Sequence, residues 1–345
     1  MQEHINPIAR LAFGVVGLFV AACSAGPSST PSIGTGPRAP AFGQPALNLS
    51  APFAAHPDVR SAFTRPAIIA VSGDTGELEA WPITMGGGSN PQPISGPLGL
   101  GFTSLAAHGN VVAIATSGPS VLLYNVATAA QTTLPDPFGS ALDVAIDKNE
   151  NIFVTNSTRP ADTVVEYPRG DRQHPRDLSG CGLIDLSYGI AADNEGDIFV
   201  AVFTPRFAAR IIEMPNGANG PEPHQCFELA LKISGGYSGL AIDPKTDDLV
   251  TLDNPDECAG GIEGRMVVYP KPYEKATGKA HDLGANCSGG IRLSADSTEV
   301  FIGDQDVSGS FTFILQSSFP DGRAEGSYVT GHPDGFTTIP NTLPN

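Results

Sequence analysis

Short apolar runs of four to six residues, broken by Gly, Pro, Asn and Asp, recur along most of this chain. Runs of that length bounded by turn residues read as strands rather than helices. The clearest unit is an apolar strand over Leu142 to Asp147, a turn at Asn149-Glu150-Asn151, and a second strand over Ile152 to Asn156. The same layout returns at Tyr188 to Asp193 with Ile198 to Val202, and at Ser238 to Asp243 with Leu249 to Asp253. Weaker copies are Gly290 to Ser294 with Val300 to Asp304, and Leu105 to Asn110 with Val112 to Thr116. Each copy is read as a hairpin.

A third strand follows each hairpin, with an aliphatic residue, then an aromatic or Met, and often Pro. Its marks are Trp81, Tyr124, Tyr167, Met214, Tyr269 and, in a degenerate copy, Ile314, at successive steps of 43, 43, 47, 55 and 45 residues. That is the spacing of propeller blades. A short fourth strand is expected at Gln92 to Ile94, Thr132 to Leu134, Arg176 to Leu178, Phe227 to Leu229, His281 to Leu283 and Ser327 to Val329. The fold class is therefore all-β, a six-bladed β-propeller. No inner strand precedes Ile68 to Ser72, while Pro333 to Ile339 reads as an opening strand with nothing after it. The ring is expected to close by adding this C-terminal strand to blade one, which removes exposed edges.

The repeat resembles the NHL-type and related six-bladed propellers, whose units run Gly-Ile-Ala-Val-Asp, a turn, Ile-Tyr-Val-Ala-Asn, then Val-x-x-Tyr-Pro. The resemblance covers residues 66 to 340 and is strongest over 140 to 270. It implies a binding scaffold, with a minority of metal-dependent lactonases and lyases on related rings. Of the motifs of those enzymes, the Glu of gluconolactonase-like rings has no counterpart here. The Trp-Phe-Thr-Glu segment of streptogramin-lyase-like rings is replaced by Ile152 to Asn156.

The ends add a second layer. Residues 1–22 read as an export signal, with Arg10 before an apolar run from Leu11 to Ala22, too short to span a bilayer. The run ends Val20-Ala21-Ala22-Cys23, which resembles the bacterial lipobox and implies lipid on Cys23. Residues 23–60, rich in Ser, Gly, Pro and Thr at their start, are expected to be a flexible tether, and 61–345 the propeller. The expected location is the bacterial cell envelope, facing periplasm or exterior, or else the secreted fraction. With 36 Asp+Glu against 19 Lys+Arg the formal charge is -17, which repels nucleic acid and anionic membrane surfaces. Contact with membrane is expected only through the anchor, and the chain is expected to be a monomer.

Candidate chemistry is sparse. In such a ring the loop after the second strand and the linkers between blades share one face. Second strands end in Ser72, Thr116, Asn156, Val202, Asp253 and Asp304, so a polar collar is expected there, with Asp143, Asn156, Asp253 and Asp304 as its candidates. The plainer reading is that strand ends favour residues whose side chains bond nearby backbone. The loops Asp253-Asn254-Pro255-Asp256-Glu257 and Asp304-Gln305-Asp306 offer carboxylates of the kind Ca²⁺ uses, yet match no calcium motif. No metal and no cofactor is therefore expected, with Ca²⁺ or another divalent ion at these loops as the alternative. The five cysteines leave four after Cys23, and an even number in an oxidising compartment favours disulfides. Cys258 and Cys287 lie on one face and are the first pair; Cys181 and Cys226 are the remainder. The expected function is non-catalytic recognition of a protein, peptide or glycan through the loop face; the alternative is a metal-dependent lactonase or lyase.

Overall fold

The structure, a computed structural model, describes residues 66–72, 75–84, 87–88, 91–98, 101–157, 162–178, 186–203, 209–215, 226–229, 239–253, 264–273, 278–285, 288–305, 312–330 and 335–339. The expected export signal, Cys23, the expected tether, Cys181, Asp256, Glu257, Cys258, Cys287 and Asp306 lie outside these residues.

Blade one holds β1 (Ala67–Val71), β2 (Leu78–Pro82) and β4 (Gln92–Pro93), while β3 (Gly87–Gly88) leaves it. Blade two is β5 (Phe102–His108), β6 (Val111–Thr116), β7 (Ser120–Asn125) and β8 (Ala130–Pro135). Blade three is β9 (Ser140–Ile146), β10 (Ile152–Ser157), β11 (Thr163–Tyr167) and β12 (Arg176–Asp177). Blade four is β13 (Leu186–Ala192), β14 (Ile198–Phe203), β15 (Ala209–Met214) and β16 (Phe227–Leu229). Blade five is β17 (Leu240–Ile242), β18 (Leu249–Asp253), β19 (Gly264–Tyr269) and β20 (Lys279–Ala285). Blade six is β21 (Ser288–Leu293), β22 (Glu299–Gln305), β23 (Thr312–Ser318) and β24 (Ala324–Thr330). The inner strand of blade one is β25 (Phe336–Ile339), antiparallel to β1 from Ala67↔Ile339 to Ala70↔Phe336. This is the closure expected from the sequence. A second tie joins the same two blades, because β3 runs parallel to β24 through Ser327↔Gly87 and Tyr328↔Gly88. The Tyr328 hydroxyl also accepts the Thr84 N–H at 3.1 Å.

Six apolar clusters fill the seams between blades. Tyr124 packs back onto Ile69 and Leu78 of blade one, Tyr167 onto Val121 of blade two, and Tyr269 onto Phe199 of blade four. Each of these tyrosines is fully buried, and burial of a side chain of this size contributes about 1.5–3 kcal/mol. Blade six departs from the expected register. The residue opposite Val300, in the place that Tyr269 holds opposite Leu249, is Ser317 and not Ile314. The last step is thus 48 residues (Tyr269 to Ser317). Ile314 lies three residues away on the opposite face of the sheet and packs with Phe301 and Phe336 toward blade one. No aromatic stands at position 317 to mark the register, and the apolar Ile314 is a decoy.

The first hairpins turn on a carboxylate. Asp147 accepts the N–H groups of Asn149 and Asn151, Asp193 those of Glu195, Gly196 and Asp197, and Asp243 that of Lys245. This satisfies turn amides that no strand can reach, and explains why the inner-strand repeat ends in Asp.

Around the axis the inner strands come close. Among the described residues four of them carry a β-bulge at the same height, at Phe102/Ser104, between Ala141 and Asp143, at Ser187/Gly189 and at Ser288/Gly290. The tier just inside these bulges reads Ser104, Asp143, Gly189, Gly239, Gly290 and Gly335 around the ring. Glycine is needed for space: a Cβ on Gly239 would lie 3.0 Å from the Ile291 nitrogen, and one on Gly335 2.7 Å from the Ser104 Cα. Both obstacles are backbone of the next blade. Gly335→Ala should therefore destabilise the ring by about 1–3 kcal/mol in urea denaturation. Gly170→Ala, where an added Cβ meets nothing within 4 Å, should stay within about 0.5 kcal/mol of the parent. Equal stability of the two variants would refute the close-approach account.

Candidate functional site at the ring axis

The bulge in β9 turns Asp143 toward the axis, where its carboxylate serves three other blades. Oδ1 accepts the Ser104 hydroxyl of blade two and, at 2.9 Å, the Val144 N–H of its own strand. Oδ2 accepts the Ile190 N–H of blade four at 2.9 Å. From blade six, Arg292 Nη2 lies 3.5 Å from Oδ1 and donates to Ser104 Oγ at 3.2 Å and to the Leu105 carbonyl at 2.9 Å. Arg292 Nη1 donates to the Ile291 carbonyl at 2.8 Å. One carboxylate and one guanidinium thus form a bar across the channel. Room for the bar exists because most other residues of that tier are glycines.

Arg292 was not among the residues singled out from sequence, although a signal was present. The next inward position of each inner strand is Ala106, Ala145, Ala191, Ala241, Arg292 and Thr337, so one long cation replaces a small residue in an aligned repeat. On one side of the bar this ring of small residues leaves a pit of about 360 Å³, walled by all six inner strands. Its mouth lies among the turns of the first hairpins, at His108, Lys148, Asn194 and Pro244. That is the end of the channel opposite the loop face, since successive turns of an antiparallel sheet alternate ends.

Three of the four collar candidates are engaged with other groups. Asp143 belongs to the axial bar. Asn156, buried at the end of β10, donates through Nδ2 to Asp136 Oδ1 at 3.2 Å, while its own Oδ1 has no hydrogen-bond partner among the described residues. Asp253 is ion-paired to Arg265 at 2.7 Å across β18 and β19. Asp304 keeps its place in β22 opposite Ser288 and Phe313, and its side chain lies outside the description. Burial raises the Asp136 carboxyl above its usual range, against the pull of the Phe138 N–H and Asn156. The loop face is stitched further by Asp162, whose Oδ2 accepts the Ser187 N–H of blade four at 2.8 Å.

One acidic group outside the collar has metal-like spacing. Ligand atoms of Asp193, Glu195 and Asp197 lie within 4.8 Å of one another. A protein cation already sits there: Lys271 Nζ is 3.0 Å from Asp193 and 3.1 Å from Glu195. Burial lowers the Lys271 pKa, but the bonds to Asp193 and Glu195 outweigh it and hold the ammonium charged. Asn194 Nδ2 meets Asp247 Oδ1 at 2.7 Å, and Tyr273 stacks edge-on to Phe199 at 4.9 Å, so this corner clamps blade five to blade four.

Glu166 is the least comfortable group in the ring. It is fully buried on β11, neither oxygen accepts a hydrogen bond, and Arg176 Nη1 is no nearer than 3.9 Å. Desolvation pushes its pKa up to about 7, with Arg176 opposing and Asp147 adding to the rise.

No family model matches the chain. A phosphoglucosamine mutase of Streptococcus uberis is 25% identical over 148 residues, 39% of this chain and 32% of the mutase. That of Streptococcus thermophilus is 26% identical over 149 residues with the same shares. The chain thus spans about a third of the length of the curated relatives it matches, and these matches show no family. Among solved structures, TolB from Acinetobacter baumannii superposes with a TM-score of 0.58 at 12% identity over 80% of this chain and 67% of TolB. A protein of unknown function from Bacteroides caccae gives 0.55 at 10% identity over 80% of this chain and 99% of that one. Likenesses at such identity show the propeller fold alone.

Two outcomes test the axial and buried carboxylates. Asp143→Ala leaves the Ile190 and Val144 amides and the Ser104 hydroxyl without their acceptor and Arg292 without its counter-charge, and should cost about 3–5 kcal/mol of unfolding free energy. A loss under about 1 kcal/mol, the value of an ordinary hydrogen bond, would show that the bar is incidental. For Glu166, a raised folded-state pKa means the folded chain binds more protons between about pH 4.5 and 7. Stability should accordingly fall as pH rises through that window. Glu166→Gln should remove this part of the slope and stabilise more at pH 8 than at pH 5 in urea titrations; an unchanged slope would contradict the assignment.

Proposed function

We propose that the chain is an exported binding propeller, held at a bacterial envelope by lipid on Cys23, that recognises a protein, peptide or glycan on its loop face without catalysing a reaction. The observation that carries this reading is that the polar groups a hydrolase would keep for substrate or metal are spent within the scaffold. Asp143 bonds three other blades, Asn156 bonds Asp136, and Asp253 pairs with Arg265. Groups so engaged stiffen the ring and hold the loop face in one shape, as a receptor surface requires.

Export draws support from the cysteine count, an even four after Cys23, of which Cys226 packs half-buried against the Ile190–Ile212 cluster. Disulfides persist in oxidising compartments. The pairing of Cys226 with Cys181 and of Cys258 with Cys287 is part of the proposal.

The test uses the full chain in its own envelope. A photo-crosslinker at Ser157, on the loop face, should capture one discrete partner, and the same group at Asn149, at the other end of β10, should not. Cys23→Ser should move the protein from the membrane to the soluble fraction. Hydrolysis of a lactone panel by purified chain supplied with Ca²⁺ or Mn²⁺, or equal capture from both positions, would overturn the reading.

A further inference from the structure

We propose that the axial pit is a binding site for a small aliphatic carboxylate, a ligand with a slender apolar chain and one anionic end. This goes beyond the binding-propeller reading and does not rest on it, since the pit opens at the other end of the channel.

The argument begins with shape. A pit of about 360 Å³ falls within the range of small-molecule sites, roughly 300–1,000 Å³. Its wall carries Ala145, Ile190, Ala191, Leu240 and Ala241, so an unbranched chain would exchange water for aliphatic surface along its length. The repeat creates this volume: alanine at four of six equivalent positions leaves space where larger residues would fill the axis.

The closed end supplies the charge. A guanidinium has five N–H donors. The bonds to Ile291, Ser104, Leu105 and Asp143 engage one Nη1 hydrogen and both Nη2 hydrogens. Among the described residues the Nε–H and the second Nη1–H meet no acceptor, and Arg292 lines the pit. These two N–H groups diverge, so each can donate singly to an anionic oxygen, and a charge-assisted bond of that kind is roughly twice as strong as a neutral one. Asp143 offsets only part of this charge, because Arg292 is its longest contact at 3.5 Å and its oxygens are shared with Ser104 and the amides of Val144 and Ile190. The other carboxylate at the wall, Asp193, is covered by Lys271. Lys148 and His108 at the mouth add donors in a chain whose formal charge is otherwise -17.

Hexanoate is the probe, with hexanol, hexylamine and inorganic phosphate as comparisons, in calorimetric titration of the full chain at millimolar concentration. Hexanoate should bind at least tenfold more tightly than the other three. Arg292→Met removes the charged floor and Ala241→Leu fills the pit without touching the bar, and each should weaken hexanoate at least tenfold. If either variant melts, the unaltered chain still decides: hexanoate should shift the methyl resonances of Ala106, Ala145, Ala191 and Ala241. Unmoved methyls, unchanged affinity in folded variants, or hexanol or phosphate binding as well as hexanoate would overturn the assignment.

Discussion

The fold depends on how six inner strands meet around one axis. Sheets that twist and fan from a common centre must bring their first strands close enough for the backbone of one to touch the next, and side chains there are mostly excluded. Gly189, Gly239 and Gly335 meet that demand by having no Cβ. Where the tier is not glycine it carries Ser104 and Asp143, which convert close approach into hydrogen bonds. Arg292 spans the gap that the glycines leave. The seams of Tyr124, Tyr167 and Tyr269 then stack outward on an axis already fixed.

The same arrangement divides the molecule into two working ends. On the loop face, Asp136, Asp162 and Asp253 are bound to neighbouring blades or strands, so that face is a stiff polar surface. On the opposite end the bar becomes the floor of a pit whose walls are small and apolar. Lys271 illustrates the economy of the scaffold: it sits among Asp193, Glu195 and Asp247, a set that would otherwise repel itself or recruit an ion.

Blade number and closure were legible because they rest on repetition. The Ile/Leu/Val hairpins, the Asp at the first turn of blades three, four and five, and the aromatic mark of the third strands recur, and the orphan strand over Phe336 to Ile339 had one place to go. The register of blade six was not legible, since Ser317 has no aromatic ring to declare it and Ile314 imitates the pattern. The site was harder still. Polar strand ends suggested a collar, but whether Asn156 and Asp253 face solvent or a neighbour depends on partners such as Asp136 and Arg265, which no repeat specifies. Arg292 could have been found by aligning the repeats on their inner strands, where it stands against four alanines.

The central claim is that Asp143 ties separate blades at the axis, and amide hydrogen exchange at Ile190 tests it most directly. This N–H donates to Asp143 Oδ2 of the preceding blade. If the bar holds the ring, the Ile190 amide exchanges only as the whole ring unfolds, with the same free energy as core amides such as Val200. Exchange at Ile190 as fast as at the turn residue Gly109 would contradict the account.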